Sequence, residues 1–285
     1  MLMIAPALLA WALNATTPPA QQPATAAEAP SEARVDPAQP DFTIIGLPTT
    51  LRVPVHKSAF RVTHRFGRSL GSGDFGDLAN DFFGFDSGAQ IGLEFRYGVA
   101  RGIQAGIHRT SDKTIEFFGE YTPLTQTESR PFAAAVLVAV EGINNFRDDY
   151  APTLGVILSH EFGRSAAAYL EPIWVGNTNP VPADHVDEGA EPHVDDTRDQ
   201  TFLLGVGGRW RIRPTVYLVG EFAPRLAGFD PGVHHASFGI EKRVGGHSFQ
   251  INFSNTQATT PRQIARGGFS NDSWYIGFNI SRKFF

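Results

Sequence analysis

The sequence predicts an all-β protein: a transmembrane antiparallel β-barrel of about twelve strands, preceded by a signal peptide and a disordered linker. Three observations carry this. From Thr50 onward, apolar and polar residues alternate with a period of two in segment after segment. The segments run roughly nine to eleven residues, the length a tilted strand needs to cross a bilayer. Short and long connections also alternate along the chain, as they do when a barrel places tight turns at one end and long loops at the other.

The alternation is explicit in the residues. Phe60, Val62 and Phe66 oppose Arg61, Thr63 and Arg65, and Leu93, Phe95 and Tyr97 oppose Glu94 and Arg96. Ile103 and Ile107 oppose Gln104 and His108, and Ile115, Phe117 and Tyr121 oppose Glu116 and Glu120. Val136, Val138 and Val140 run to Glu141, and Leu154, Val156 and Leu158 to Glu161. A stretch around Tyr169 and Glu171 alternates with ambiguous facing. Phe202, Val206 and Trp210 oppose Arg209 and Arg211, and Leu218 and Phe222 oppose Glu221. Phe238 and Ile240 oppose Glu241, Phe249 and Ile251 oppose Gln250, and Ile276 to Phe284 oppose Asn279 and Ser281. Tight links lie at Gly98–Gly102, Gly163-Arg164, Arg213-Pro214 and Val244–Gly246, with long ones at 68–88, 176–199 and 256–271. The sole hint of a helical turn is Asp77–Phe83, inside a loop.

Composition agrees. The chain of 285 residues holds 23 Phe against 2 Met, which favours strands over helices. It has no cysteine, so neither a disulfide framework nor a thiolate metal site is available, and no cofactor is expected. A net charge of -5 argues against a nucleic-acid partner. Residues 1–20 read as a signal peptide, although the first basic residue is Arg34. Residues 21–48 read as an Ala/Pro/Gln-rich disordered linker and 49–285 as the barrel domain. Aromatics near strand ends (Tyr97, Tyr121, Phe162, Trp174, Trp210 and Trp274) sit where a membrane girdle uses them.

Residues His64-Arg65-Phe66-Gly67, Phe83-Gly84-Phe85-Asp86, Tyr97-Gly98, Arg109-Thr110-Ser111 and Glu120-Tyr121 resemble a family of bacterial outer-membrane β-barrels named as a domain of unknown function. The resemblance spans about residues 50 to 285 and implies fold and a bacterial outer-membrane location, without an activity. The terminal Phe284-Phe285 is similar to the aromatic signal read by barrel-assembly machinery. The expected partners are therefore outer-membrane lipid, lipopolysaccharide and that machinery, with the oligomeric state left open.

The candidate functional residues are the charges and polar groups on the inward face: Arg61, Arg65, Glu94, Arg96, His108, Glu116, Glu120, Glu141, Glu161, Arg209, Arg211, Glu221 and Glu241. Such a set either fills the lumen with an ion-pair network or lines a narrow polar path. Other constellations carry less. The acidic loop Asp184–Asp196 lacks the glycine and spacing of a calcium loop, and reads as a solvated loop bridged to lipopolysaccharide. Gly67-Arg68-Ser69-Leu70-Gly71 matches a nucleophile elbow but lacks its strand-turn-helix setting. Ser159 and His160 point to opposite faces, and His234-His235 has no partner by spacing. The sequence therefore points to a non-enzymatic barrel, a narrow porin-like channel for small polar solutes. The alternatives are a barrel enzyme acting on lipid or surface peptide, and a docking barrel for a periplasmic partner.

Overall fold

A computed structural model of the protein describes residues 38–179 and 199–285. The signal peptide expected over 1–20, the linker up to residue 37 and the acidic loop Asp184–Asp196 lie outside the described residues.

One antiparallel sheet closes on itself. Its strands are β1 (Ser58–Phe66), β2 (Ala89–Ala100), β3 (Ile103–Thr110), β4 (Ile115–Leu124), β5 (Ala133–Gly142), β6 (Asp148–Phe162) and β7 (Ala166–Val175). They continue as β8 (Thr201–Arg213), β9 (Val216–Ala223), β10 (Arg225–Gly228), β11 (His235–Val244), β12 (His247–Ser254) and β13 (Tyr275–Lys283). Apart from β10, which pairs with β8 while β11 pairs with β9, each strand pairs with its sequence neighbour, and β13 returns to β1 in register, with His64 opposite Phe278 and Val62 opposite Ile280. Strands β9 and β10 are one stave interrupted at Pro224: both pair with β8, and the Pro224 carbonyl accepts from Leu204 N at 3.0 Å across the break. Twelve staves therefore make the wall. Proline donates nothing to a ladder, which is why the register shifts here, and again on β4 around Pro123 between Tyr121 and Leu124.

The wall is inverted relative to a soluble protein. Outward positions are apolar and exposed: Leu93, Phe95, Val138, Leu154, Phe222, Phe238, Ile240 and Ile251. Inward positions on the same strands are polar and buried: Glu94, Arg96, Glu141, Thr153, Glu221, Ser237, Glu241, Gln250 and Asn252. Hydrocarbon offers backbone groups no hydrogen bonds, so a spanning sheet is stable only when closed. Tyr97, Tyr121, Phe162 and Trp210 mark the end with tight turns, and Trp174 and Trp274 the end with long loops. Both the start of β1 and the end of β13 lie at the turn end. The helical turn expected in the first long loop is present as a helix over Phe75–Asn80, with Asp74 and Asp77 forming a reciprocal capping box.

The linker expected to extend to residue 48 ends earlier. Residues 38–50 are buried inside the barrel. Thr49 N donates to Phe42 O at 2.9 Å, Ile44 N donates to Leu47 O at 2.7 Å, and Thr43 bridges Pro48, so the segment is a hairpin with its tip at Ile45-Gly46. Composition misassigned it because Phe42, Ile44, Ile45 and Leu47 form a short apolar run beyond an otherwise polar stretch. An isolated hairpin is unstable in water, and this one has the lumen wall to pack against.

The inverted wall makes a direct prediction. Ile251→Arg, at the middle of β12, should cost about 2–4 kcal/mol of folding stability in lipid vesicles. Ile251→Phe should cost little. Denaturant titration of folding into vesicles measures both.

Candidate functional site

The lumen is the site, and its chemistry follows from what fills it. At the hairpin tip, Ile45 N, Gly46 N and Leu47 N converge on the Glu221 carboxylate at 2.9–3.0 Å. Consecutive backbone N–H groups folded this way form a concave anion-binding nest. Glu221 Oε1 also lies 3.0 Å from His235 Nε2, whose other ring nitrogen is 2.9 Å from Thr256 Oγ1. The hairpin's carbonyls are met by donors from the wall. Arg209 donates to the carbonyls of Asp41, Thr43 and Ile44, and holds Glu241 at 3.0 Å. Gln250 Nε2 donates to Ile44 O at 2.7 Å and Asn279 Nδ2 to Ile45 O at 2.9 Å. Arg61 donates to Thr43 Oγ1 and Ile45 O. Asp41, nearer the turn end, is held by Ser281 and by Lys283 at 3.5 Å.

Apolar packing completes the fit. Ile44, Ile45 and Leu47 share a cluster with Ile173, Leu203, Tyr217, Val219 and Ile264. Strand β8 makes room with glycine at two positions. A Cβ at Gly207 would lie 2.4 Å from Ile44 Cδ1, and one at Gly205 would lie 3.0 Å from Leu47 Cδ1. From the loop end, the helix Pro261–Arg266 folds inward, and Ile264 meets the hairpin tip at Gly46. Its Arg262 is buried, donates to Asp149 Oδ2 at 2.6 Å and faces Glu141 at 3.8 Å, while the Thr260 hydroxyl donates to Glu141. The lumen is thus occupied from both ends.

The residues singled out from sequence separate by what they contact. Arg61, Glu94, Arg96 and Glu120 form one chain of charge: Glu94 bridges both arginines, and Arg96 faces Glu120 at 3.5 Å. Arg96 also stacks over Phe118 at 4.6 Å and Phe42 at 5.5 Å. His108 faces Glu116 at 3.7 Å, and Arg65 donates to Asn279 at 2.9 Å. Arg209, Glu221 and Glu161 hold the hairpin, the last through Gln39, Glu241 orients Arg209, and Glu141 holds the inward loop. Arg211 stands apart: it is half-buried at the rim, donating to the carbonyls of Pro214 and Arg164 within the tight turns.

Glu171, whose facing was ambiguous in the sequence, points inward and is fully buried with no hydrogen-bond partner among the described residues. Sequence reasoning missed an apolar patch on the inner wall, Phe118, Ala135, Leu137 and Ile157, because a period of two assigns that face to polar residues. It also missed the hairpin, for which the inward glycines Gly205 and Gly207 were the available signal.

The histidine constellations do not assemble into a catalytic relay. Ser159 faces inward, bonded to Thr50, while His160 faces outward against the Pro131 carbonyl. Ser237 Oγ and Glu221 Oε1 both approach the same nitrogen of His235, at 3.2 and 3.0 Å. A triad needs its acid and its nucleophile on different ring nitrogens.

The geometry is matched by comparison with known proteins. A family model described as a membrane bound beta barrel domain (DUF5777) matches residues 41–284, which includes all but the first residues of the hairpin. No curated protein matches the chain. Among solved structures, the NanC porin superposes with a TM-score of 0.48 at 7% identity, covering 80% of this chain and 99% of that one. An outer membrane channel from Pseudomonas putida F1 gives 0.48 at 10% identity, covering 81% and 97%. A mutant porin of Rh. blastica gives 0.31 at 8%, covering 68% and 55%. Likenesses this distant carry no argument about solute.

Removing the carboxylate between Arg61 and Arg96 tests the charge chain. Glu94→Gln leaves two buried guanidiniums facing each other and should cost about 3–5 kcal/mol. Glu171→Gln removes an acid that has no partner and should leave the unfolding midpoint unchanged or raise it. Denaturant midpoints in one detergent decide both.

Proposed function

Because the chain belongs to the family of membrane-bound β-barrel domains, we propose that it is a narrow channel for small polar solutes in the bacterial outer membrane, closed by its own N-terminal hairpin. The observation that carries this reading is the capture of the Glu221 carboxylate by the hairpin tip. A lumen that only needed filling would be served by side chains from the wall, as in small barrels. Here the wall charges at Arg61, Arg209 and Glu221 are met by backbone and hydroxyl groups of the hairpin.

Topology makes that segment removable. The hairpin leads into β1 at the turn end, and Gln39 at its other limb contacts Glu161 near the same end. It can slide out without threading or breaking the wall. Water can replace the hairpin's backbone groups around the lumen charges, whereas the contacts of Ile44, Ile45 and Leu47 favour the closed state. With the hairpin gone, the walls present arginine clusters beside carboxylates, the kind of lining that selects polar solutes by charge. The C-terminal strand ends at the turn end, which in such barrels is periplasmic, and the long loops then face outward.

Planar-bilayer recording tests the proposal. The full chain should be closed for most of the record, and a variant lacking residues up to Thr50 should show stepwise conductance. Glu221→Gln should give intermediate, flickering openings in the full-length chain. Absence of conductance from both variants, each shown to be folded by heat-modifiable gel migration, would instead support a purely structural or docking barrel.

A further inference from the structure

The loop joining β1 to β2 exposes more aromatic surface than a loop in water retains. Phe75 is 74% exposed, Phe82 62%, Phe85 51% and Phe83 39%, within eleven residues of chain. Exposed apolar clusters of this kind mark contacts with something apolar. The backbone reinforces the point. Phe82 and Phe83 have φ of 49° and 58°, the left-handed region that bulky side chains rarely adopt. Two adjacent phenylalanines are thus held in an unfavourable conformation that turns their rings outward, and strain of this sort is retained where the arrangement serves a contact.

The cluster is continuous with the lipid-facing wall. On β1 the outward row is Phe60, Val62, His64 and Phe66, opposite the inward Arg61, Thr63 and Arg65. His64 stacks on Phe278 of β13 with ring centroids 4.7 Å apart and 10° between planes, and Phe66 lies 4.4 Å from His64. Phe85 then folds back from the loop onto Phe66 at 4.4 Å, and Phe82 packs edge-on to Phe85 at 5.5 Å. Three of the loop's four acids are engaged locally: Asp74 and Asp77 cap the helix, and Asp81 pairs with Arg68, while Asp86 is exposed next to Phe85. The loop therefore has an apolar side contiguous with the barrel's outer face, and the acids nearest its helix are turned to local partners.

We infer that this loop is a second, shallow membrane contact, which seats Phe75, Phe82, Phe83 and Phe85 at the boundary between headgroups and acyl chains of the leaflet beside β1 and β13. The occupant is lipid, because the patch extends a surface that the barrel already presents to lipid. Phenylalanine is among the side chains that interfacial elements bury at that boundary.

The absence of native cysteine makes the test clean. Single-cysteine variants Phe82→Cys and Phe85→Cys, with Ser72→Cys as the control, are nitroxide-labelled and folded into phosphatidylcholine vesicles. Relaxation by oxygen, which partitions into lipid, is compared with relaxation by a water-soluble nickel chelate. The labels at 82 and 85 should favour oxygen over nickel several-fold more than the label at 72. Equal ratios at all three positions overturn the proposal, since the loop then stands in water. Spin–spin broadening that vanishes on dilution with unlabelled protein overturns it too, by identifying a second copy of the chain as the occupant. Phe75→Cys, on the helix and outside the strained pair, gives the same readout if a substitution nearer the pair prevents folding.

Discussion

The constraint on which this structure depends is that hydrocarbon supplies no hydrogen bonds to a backbone. Closure of the sheet between β13 and β1, and the bridging of Pro224 by two strand segments that share β8, both follow from it. Closure in turn dictates inversion. Apolar side chains must face out, so most charges on the wall are driven into a confined lumen, with Arg109, Lys242 and Arg282 left exposed toward the strand ends. Charges gathered there need partners or water, and they are the reason the hairpin has something to bind.

The interior resolves into two systems with different chemistry. On one side, Arg61, Glu94, Arg96 and Glu120 satisfy one another across β1, β2 and β4 and brace the wall. On the other, Arg209, Glu221, Gln250 and Asn279 spend much of their hydrogen-bonding capacity on the backbone of residues 41–47. The first system pairs mainly within the wall and touches the hairpin only where Arg61 donates to Thr43 and Ile45 and Arg96 lies over Phe42. The second is completed by the backbone of a hairpin that precedes β1 and is not part of the wall. That division separates charges that pair mostly with one another from charges that bind a segment lying inside the barrel.

How much was legible beforehand follows from the same physics. Strand number, facing and loop parity were readable because alternation is imposed residue by residue by a boundary between lipid and lumen. Phe60 and Arg61, or Phe238 and Glu241, could hardly face otherwise. The inward set was readable for the same reason, and Arg211 departs from it because the rim turns provide carbonyls closer than the lumen does. The hairpin was not readable as such. Its partners, Gly205, Gly207, Arg209 and Glu221, are more than 150 positions away in sequence, and only the closed barrel brings them to Ile44–Leu47. Local composition near Pro40 sees a tether, whereas the three-dimensional context supplies the wall. Phe118, apolar yet inward, lies under the Arg96 guanidinium, which also lies over the hairpin's Phe42, and it packs with Leu137 on the inner wall, contacts no local window contains.

The central claim is that residues 38–50 occupy the lumen of the folded, membrane-inserted protein. Thr50 Oγ1 and Ser159 Oγ lie 2.6 Å apart, one on the hairpin limb and one on the inner wall, and the chain has no other cysteine to interfere. In a Thr50→Cys, Ser159→Cys double variant folded into vesicles, oxidation should form an intramolecular disulfide near quantitatively, leaving no thiol to alkylate. If both thiols instead stay reduced under oxidant and react freely with a membrane-impermeant alkylating reagent, the hairpin is outside the barrel and the account is wrong.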